Sequence, residues 1–311
     1  MALLIETGLS NWISDADLAK EVLHQSPGAD VRTPDTIGDP TEITMVAVST
    51  LQDAHLERLP NLKLVQKLGA GVETIVGNPK LPDHIRVARL RPDAPAQEIA
   101  EWFLAHILRA QRHLGDYEAA QRRSEWSPKA PRITSETKVG VLGLGTIGTR
   151  TALMLNGLGF QVMGWSRSPK QIDGVTCLHG QDALLELLGQ CDYVCAILPS
   201  TPQTVGLFGA DILAAMKPGS CLLNAGRGDL IDETALIAAL DAGTPCHAVL
   251  DVTSQEPLPQ DSPLWQHPCV TITPHVSGWH LGDALADVAR NFERLSSGQP
   301  LLHEIDRGKG Y

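Results

Sequence analysis

Two doubly wound parallel-sheet α/β domains are the fold the sequence predicts, and three observations predict it. Short apolar runs alternate with helix-like segments along the whole chain. Two stretches of loop-like composition, "RPDAPAQ" and "SPKAPRITSET", interrupt that alternation. A glycine-rich turn near the middle of the 311 residues then opens a second series of strands.

In chain order, the first ninety or so residues offer strands at "ALLIET", "ADVRT", "ITMVAVST", "LKLVQK" and "IRVARL", with helical "SDADLAKEVL" and "DAHLERL" among them. A long amphipathic segment follows the first loop, with Ile99, Trp102, Phe103, His106, Ile107, Ala110 and Leu114 recurring at helical spacing. It reads as a helix joining the domains, with His106 a core histidine on its apolar face. After the second loop the strands are "KVGVLGL", "FQVMGWS", "DYVCAIL", "SCLLNA", "CHAVLDV" and "CVTIT". The last helix, in "LGDALADVARNFERLSSGQP", is stopped by Ser-Gly and Pro before the tail "LLHEIDRGKGY".

Composition narrows the function classes. A hydrophobic content of 43% suits a globular chain, and 25 Lys plus Arg against 36 Asp plus Glu give a net charge of −11. That sign repels phosphate backbones and anionic lipid, so neither nucleic acid nor membrane is an expected partner. The apolar run "ALLI" is too short for a signal or a span, and the expectation is a cytoplasmic protein. Cys177, Cys191, Cys195, Cys221, Cys246 and Cys269 show no C-x-x-C and no metal-ligand spacing. They read as buried or spare thiols, and no metal is expected.

"KVGVLGLGTIG" sets Gly143, Gly145 and Gly148 in G-x-G-x-x-G spacing between a strand and the helical "TRTALMLNGLG". A dinucleotide pyrophosphate needs close backbone approach at Gly145. It is stabilised by free N–H groups, Thr146 and Ile147 included, at the positive end of a helix. The next strand ends in Ser166, Arg167 and Ser168, where an NAD site would place an acidic residue. With no carboxylate to repel a 2′-phosphate and a guanidinium to receive it, the preferred coenzyme is NADPH, with NADH as the alternative.

Three further segments follow apolar strands on the carboxyl side, where ligands of open α/β sheets gather. "NAGRGDL" supplies Arg227, "LDVTSQEPLP" supplies Glu256 and "TPHVSG" supplies His275. Hydride transfer to a ketone needs a donor that polarises the carbonyl, a proton source, and a partner that keeps the proton source charged. Arginine, histidine and glutamate suit those tasks in that order.

From "KLGAGVE" onward, through "GLGTIG", "LPSTPQTVGLF", "MKPGSCLLNAGRGDLIDETAL" and "LDVTSQEPLPQDSPLWQHPCVTITPH", the chain resembles the D-isomer-specific 2-hydroxyacid dehydrogenases. "WSRS" and the closing "IDRGKGY" look most like the glyoxylate/hydroxypyruvate reductase A branch. The resemblance implies a flavodoxin-like substrate domain from residues 1–98 and 283–311, a Rossmann-type cofactor domain from 99–282, and a cleft between them. It implies that Arg227 holds the substrate carboxylate and carbonyl, and that Glu256 pairs with His275, the acid/base. Backbone N–H groups of Gly69, Ala70 and Gly71 would meet the substrate carboxylate, as glycine-rich turns do for anions. Pro199, Ser200, Ala225, Asp251 and Gly278 would lie along the cofactor, Asp251 toward the nicotinamide, and a homodimer is implied.

After the histidine the chain departs from the pattern with Ser277-Gly278-Trp279-His280, so Trp279 is expected to narrow or line the substrate pocket. The reading is reduction of a small 2-keto acid such as glyoxylate or hydroxypyruvate to the D-2-hydroxy acid. The alternatives are NAD-linked oxidation of a larger 2-hydroxy acid and a non-catalytic NAD(H)-sensing protein of the same fold.

Overall fold

The computed structural model describes residues 1–8, 12–69, 71–91, 93 and 95–307. Its elements are β1 (Ala2–Ile5), α1 (Asp15–Gln25), β2 (Val31–Arg32), β3 (Ile43–Val48), α2 (Asp53–Arg58), β4 (Leu64–Lys67), α3 (Glu73–Val76) and β5 (Arg86–Arg89). These are followed by α4 (Ala96–Gln111), α5 (Leu114–Arg122), β6 (Lys138–Leu142), α6 (Thr146–Gly157), β7 (Gln161–Ser166), β8 (Val175–His179), α7 (Gln181–Gln190) and β9 (Tyr193–Ala196). The series closes with α8 (Ala210–Ala214), β10 (Cys221–Asn224), α9 (Glu233–Asp241), β11 (His247–Leu250), β12 (Val270–Ile272) and α10 (Leu285–Ser297).

The chain divides into two compact units, residues 1–94 with 280–311, and residues 95–279. The sequence-based boundaries at 98/99 and 282/283 therefore fall inside α4 and inside the short turn Gly282–Ala284. In the first unit the strand order is β2-β1-β3-β4-β5, all parallel. β1 and β3 are buried at every position, as a sheet covered on both faces requires. One of those faces is covered by the C-terminal segment: Leu285, Val288, Ala289 and Phe292 of α10 join Leu3, Ile5, Leu18 and Met45 in one core. The unit is discontinuous because its core is incomplete without α10.

The second unit has the order β12-β11-β10-β9-β6-β7-β8, again all parallel. The order reverses at β6 and β9, so the crevice of a doubly wound sheet opens at the carboxyl end of β6, where the glycine turn begins. Leu142, Leu184, Leu187, Val194 and Leu222 pack on one face, and Phe103, Ile107, Val141, Leu155 and Leu223 on the other.

Two elements differ from the sequence reading. The joining helix stops at Gln111 because His113 takes a left-handed conformation, φ 57°, which no helix continues through. Leu114, placed on the apolar stripe by periodicity, instead opens α5 and is 46% exposed. β8 escaped the sequence reading because it is an edge strand, "VTCLH", with no fully buried residue and no continuous apolar run. Among the described residues no helix is long and apolar enough to cross a membrane.

Candidate active site

The glycine turn separates what the chain needs from what a ligand needs. A Cβ on Gly143, whose φ is +104°, would lie 2.5 Å from the Ile197 carbonyl oxygen, and one on Gly148 would lie 1.7 Å from the Gly143 carbonyl oxygen. Those two glycines are demanded by the close packing of strand, turn and helix. A Cβ on Gly145 would meet nothing within 4 Å. Its bareness answers to nothing in the chain itself and leaves room for a group lying on the turn. Gly145 caps α6, whose first turn carries no acidic residue, so the amides of Thr146 and Ile147 head a helix with an uncancelled positive end. A dinucleotide pyrophosphate fits this arrangement.

Beyond the turn, β7 ends at Ser166, which is buried and donates its hydroxyl to the Ser168 carbonyl at 2.8 Å. That bond shapes the bend on which Arg167 stands exposed. Ser166 is thus a bend-former, and Arg167 is the side chain offered to solvent at the fingerprint position.

Arg227, Glu256 and His275 come from loops that follow three neighbouring strands, β10, β11 and β12. Asn224, wholly buried at the end of β10, fixes the first loop by accepting from the Gly226 amide at 3.0 Å and donating to the Arg227 carbonyl at 2.8 Å. The guanidinium Nη1 of Arg227 donates to the Gly226 carbonyl at 2.7 Å. A Cβ on Gly228 would come within 1.9 Å of the Thr253 carbonyl, so the Arg227 loop lies directly on the loop that carries Glu256.

Glu256 is held at both oxygens. Oε1 accepts from the Thr253 amide at 3.1 Å and Oε2 contacts His275 Nδ1 at 2.7 Å. A carboxylate only accepts, so Nδ1 carries the proton in this pair and Nε2 is turned to the opposite side of the ring. Partial burial pushes the Glu256 carboxyl up, but the hydrogen bond and charge of His275, the Thr253 amide and the Arg227 guanidinium together outweigh it, and the net shift is downward. Glu256 is therefore anionic beside the imidazole at neutral pH.

His275 sits at φ 55°, a left-handed conformation that costs an L-residue about 1 kcal/mol. Asp251 holds it there. The Asp251 carbonyl accepts the His275 amide at 2.8 Å, and the Asp251 carboxylate, 2% exposed, accepts from the amides of Val276 and Ser277, each at 2.9 Å, and from the Thr273 hydroxyl at 2.6 Å. The sequence placed Asp251 toward a nicotinamide; in the structure these three carboxylate contacts go to the histidine loop.

The remaining expected positions are as follows. Ser200 donates to Asp229 at 2.5 Å, and the Pro199 carbonyl accepts from Thr204 at 2.6 Å, so both belong to a turn that braces the Arg227 loop. Ala225 is half-buried in that loop. Gly278 packs against Pro95 and Ile99, where its Cβ would approach to 2.9 Å and 3.1 Å. Trp279 is half-buried and its amide donates to Glu98 of α4 at 2.8 Å. In the first unit, Gly69 and Gly71 follow β4, and the Gly69 carbonyl accepts from Leu90 at 3.2 Å; Ala70 lies outside the described residues. Sequence reasoning missed the contacts of Asn224, Thr273, Trp102 and Glu98, polar groups at strand ends or on the joining helix: Asn224 and Glu98 bond loop backbone, while the Trp102 indole donates to the Thr273 hydroxyl and that hydroxyl to Asp251.

A family model described as the D-isomer specific 2-hydroxyacid dehydrogenase NAD binding domain matches residues 104–277. The chain belongs to the D-isomer specific 2-hydroxyacid dehydrogenases. A glyoxylate/hydroxypyruvate reductase A of Serratia proteamaculans is 38% identical over 256 residues, covering 80% of this chain and 82% of that protein. Among solved structures, a D-isomer specific 2-hydroxyacid dehydrogenase from Xanthobacter autotrophicus in complex with NADPH and MES is similar with a TM-score of 0.89 and 40% identity, over 100% of this chain and 99% of that one. An NADPH-dependent glyoxylate/hydroxypyruvate reductase from Sinorhizobium meliloti, in complex with NADP and sulfate, is similar with a TM-score of 0.89 and 31% identity, over 100% and 99% of the two chains. These likenesses bear out the family and the reductase A branch read from the sequence. The dehydrogenase is an NAD(P)-dependent oxidoreductase acting on 2-keto and 2-hydroxy acids.

Proposed function

We propose that this dehydrogenase reduces a small 2-keto acid, glyoxylate or hydroxypyruvate, to the D-2-hydroxy acid with NADPH. The observation that carries the proposal is the His275–Glu256 pair at 2.7 Å, on the same sheet edge as the Arg227 loop and the Gly143–Gly148 turn. The coenzyme, when bound, supplies a hydride. Arg227 spans the substrate carboxylate and keto oxygen, drawing electron density from the carbonyl carbon. His275, protonated on both nitrogens, gives its Nε2 proton to the oxygen as that oxygen becomes an alkoxide. Glu256 keeps the imidazolium in place and charged until transfer. Trp279 limits the size of the group on the carbonyl.

Following NADPH absorbance with glyoxylate, hydroxypyruvate, pyruvate and phenylpyruvate tests the reading. Turnover of the first two and poor turnover of phenylpyruvate is the expected result, and no turnover with any of the four sinks it. Glu256→Gln removes the carboxylate that accepts from Nδ1, and is expected to lower kcat/KM for reduction at least tenfold with KM for NADPH within a few-fold. A Gln variant with the wild-type kcat/KM would separate Glu256 from the acid/base role.

Arg167 supports NADPH over NADH, since it is exposed at the end of β7 with no carboxylate from Ser166 to Lys170. Arg167→Asp is expected to raise KM for NADPH at least tenfold and to lower it for NADH, through loss of an arginine–phosphate contact and gain of a ribose acceptor. An unchanged NADPH to NADH ratio removes Arg167 from the site. The proposal includes a homodimer, for which the individually exposed Leu108, Leu114, Tyr117, Trp126 and Ile133 of the second unit offer apolar side chains; a monomeric sedimentation coefficient at micromolar concentration would count against it.

A further inference from the structure

We infer that Thr273 and Trp102 are positioning residues for the reaction, holding the catalytic histidine's backbone through Asp251. The inference rests on the reading of His275 as acid/base. The indole Nε1 of Trp102 donates to the Thr273 hydroxyl at 3.1 Å, and that hydroxyl donates to Asp251 Oδ1 at 2.6 Å. Oδ1 also accepts from the Val276 amide and Oδ2 from the Ser277 amide, each at 2.9 Å. One buried carboxylate thus gathers the residue two before His275 and the two residues after it. The Asp251 carbonyl takes the His275 amide itself.

This chain of contacts has a direction. A hydroxyl has a single proton; because the indole N–H can only donate, the Thr273 oxygen accepts from it and its own proton is left for Asp251. The indole is itself held against the His106 ring, with centroids 4.6 Å apart. Helix α4 therefore reaches the histidine loop by a polar path as well as by packing. His275 occupies a left-handed conformation that a loop without these anchors would leave, because the relaxed β or right-handed regions are lower in energy. Leaving it swings the imidazole away from Glu256, whose Oε1 is fixed separately by Thr253. The network's product is the alignment of Nδ1 with Glu256 and of Nε2 with the reacting oxygen.

Thr273→Val removes the hydroxyl and keeps the shape; Thr273→Ser keeps the hydroxyl and removes the methyl. The expected result is a kcat about tenfold lower in the Val variant with KM for NADPH within twofold, and recovery to within threefold of wild type in the Ser variant. Trp102→Phe, which deletes only the indole donor and part of the ring, is expected to lower kcat several-fold in the same pattern. Amide hydrogen exchange at residues 275–277, measured without coenzyme or substrate, reads the positioning independently of turnover and is expected to be at least fivefold faster in the Val variant. Unchanged exchange in both the Val and Phe variants overturns the inference, as does a Ser variant as slow as Val. Absence of wild-type turnover sinks the proposed function instead, and the exchange measurement still decides whether the network holds the loop.

Discussion

His275→Ala is expected to lower kcat for 2-keto acid reduction by about 10²-fold or more while leaving the affinity for NADPH within a few-fold of wild type. The two halves of that result come from different parts of the second unit. The coenzyme's phosphates are expected on the Gly143–Gly148 turn and at Arg167, and Asp251, also expected along the coenzyme, meets His275 only through its backbone carbonyl, a contact that the substitution keeps. The imidazole's hydrogen bond is to Glu256, so the substitution removes the proton source and leaves a carboxylate that is already partly exposed. Partial exposure matters, because a fully buried carboxylate stripped of its partner would destabilise the fold and confuse the reading. Stopped-flow single turnovers with coenzyme in excess separate the chemical step from release. If the Ala variant retains more than a tenth of the wild-type single-turnover rate, the proton comes from elsewhere.

How far the sequence could be read depended on where each group sends its hydrogen bonds. The doubly wound architecture was legible because buried parallel strands such as "ITMVAV" are apolar at every position, and because the glycine spacing marks the first strand-to-helix turn of a nucleotide-binding sheet. Arg227, Glu256 and His275 were legible because each follows an apolar strand with the residue type its task requires. Their mutual approach was not, since it depends on Gly228 lying against Thr253 and on Asn224 closing its own loop, contacts that no periodicity encodes. Asp251 has contacts that no sequence pattern shows: its carboxylate accepts from two backbone amides and the Thr273 hydroxyl, donors that become neighbours only after the chain turns back at Pro274. β8 and the end of α4 were missed for a related reason: an edge strand is only partly covered, and a left-handed His113 leaves no signature in the amphipathic pattern.

Arg227→Gln should be the more informative of two substitutions at the substrate-holding position, with kcat/KM falling by roughly 10³-fold, about the effect of losing a preorganised charge donor at a developing oxyanion. Contact with the substrate carboxylate is present in ground and transition states alike, so its loss raises KM. Contact with the keto oxygen strengthens only as negative charge develops there, so its loss lowers kcat. Both parameters are therefore expected to move. Arg227→Lys keeps a charge but replaces a planar fork by a point, and should recover the KM effect better than the kcat effect. The Asn224 clamp holds the backbone of position 227 through its carbonyl, so the loop keeps its course in either variant. A second consequence follows at Glu256. The guanidinium is one of the groups that hold the Glu256 carboxyl below its usual range, so in the Gln variant that carboxyl protonates at higher pH. The limb of the profile that falls toward low pH then moves upward, because the His275–Glu256 pair loses its anion sooner on acidification; with Lys it moves less. Equal kcat/KM in the Lys variant and wild type would mean that the guanidinium fork is not used, and the carboxylate and carbonyl would have to be held by other groups.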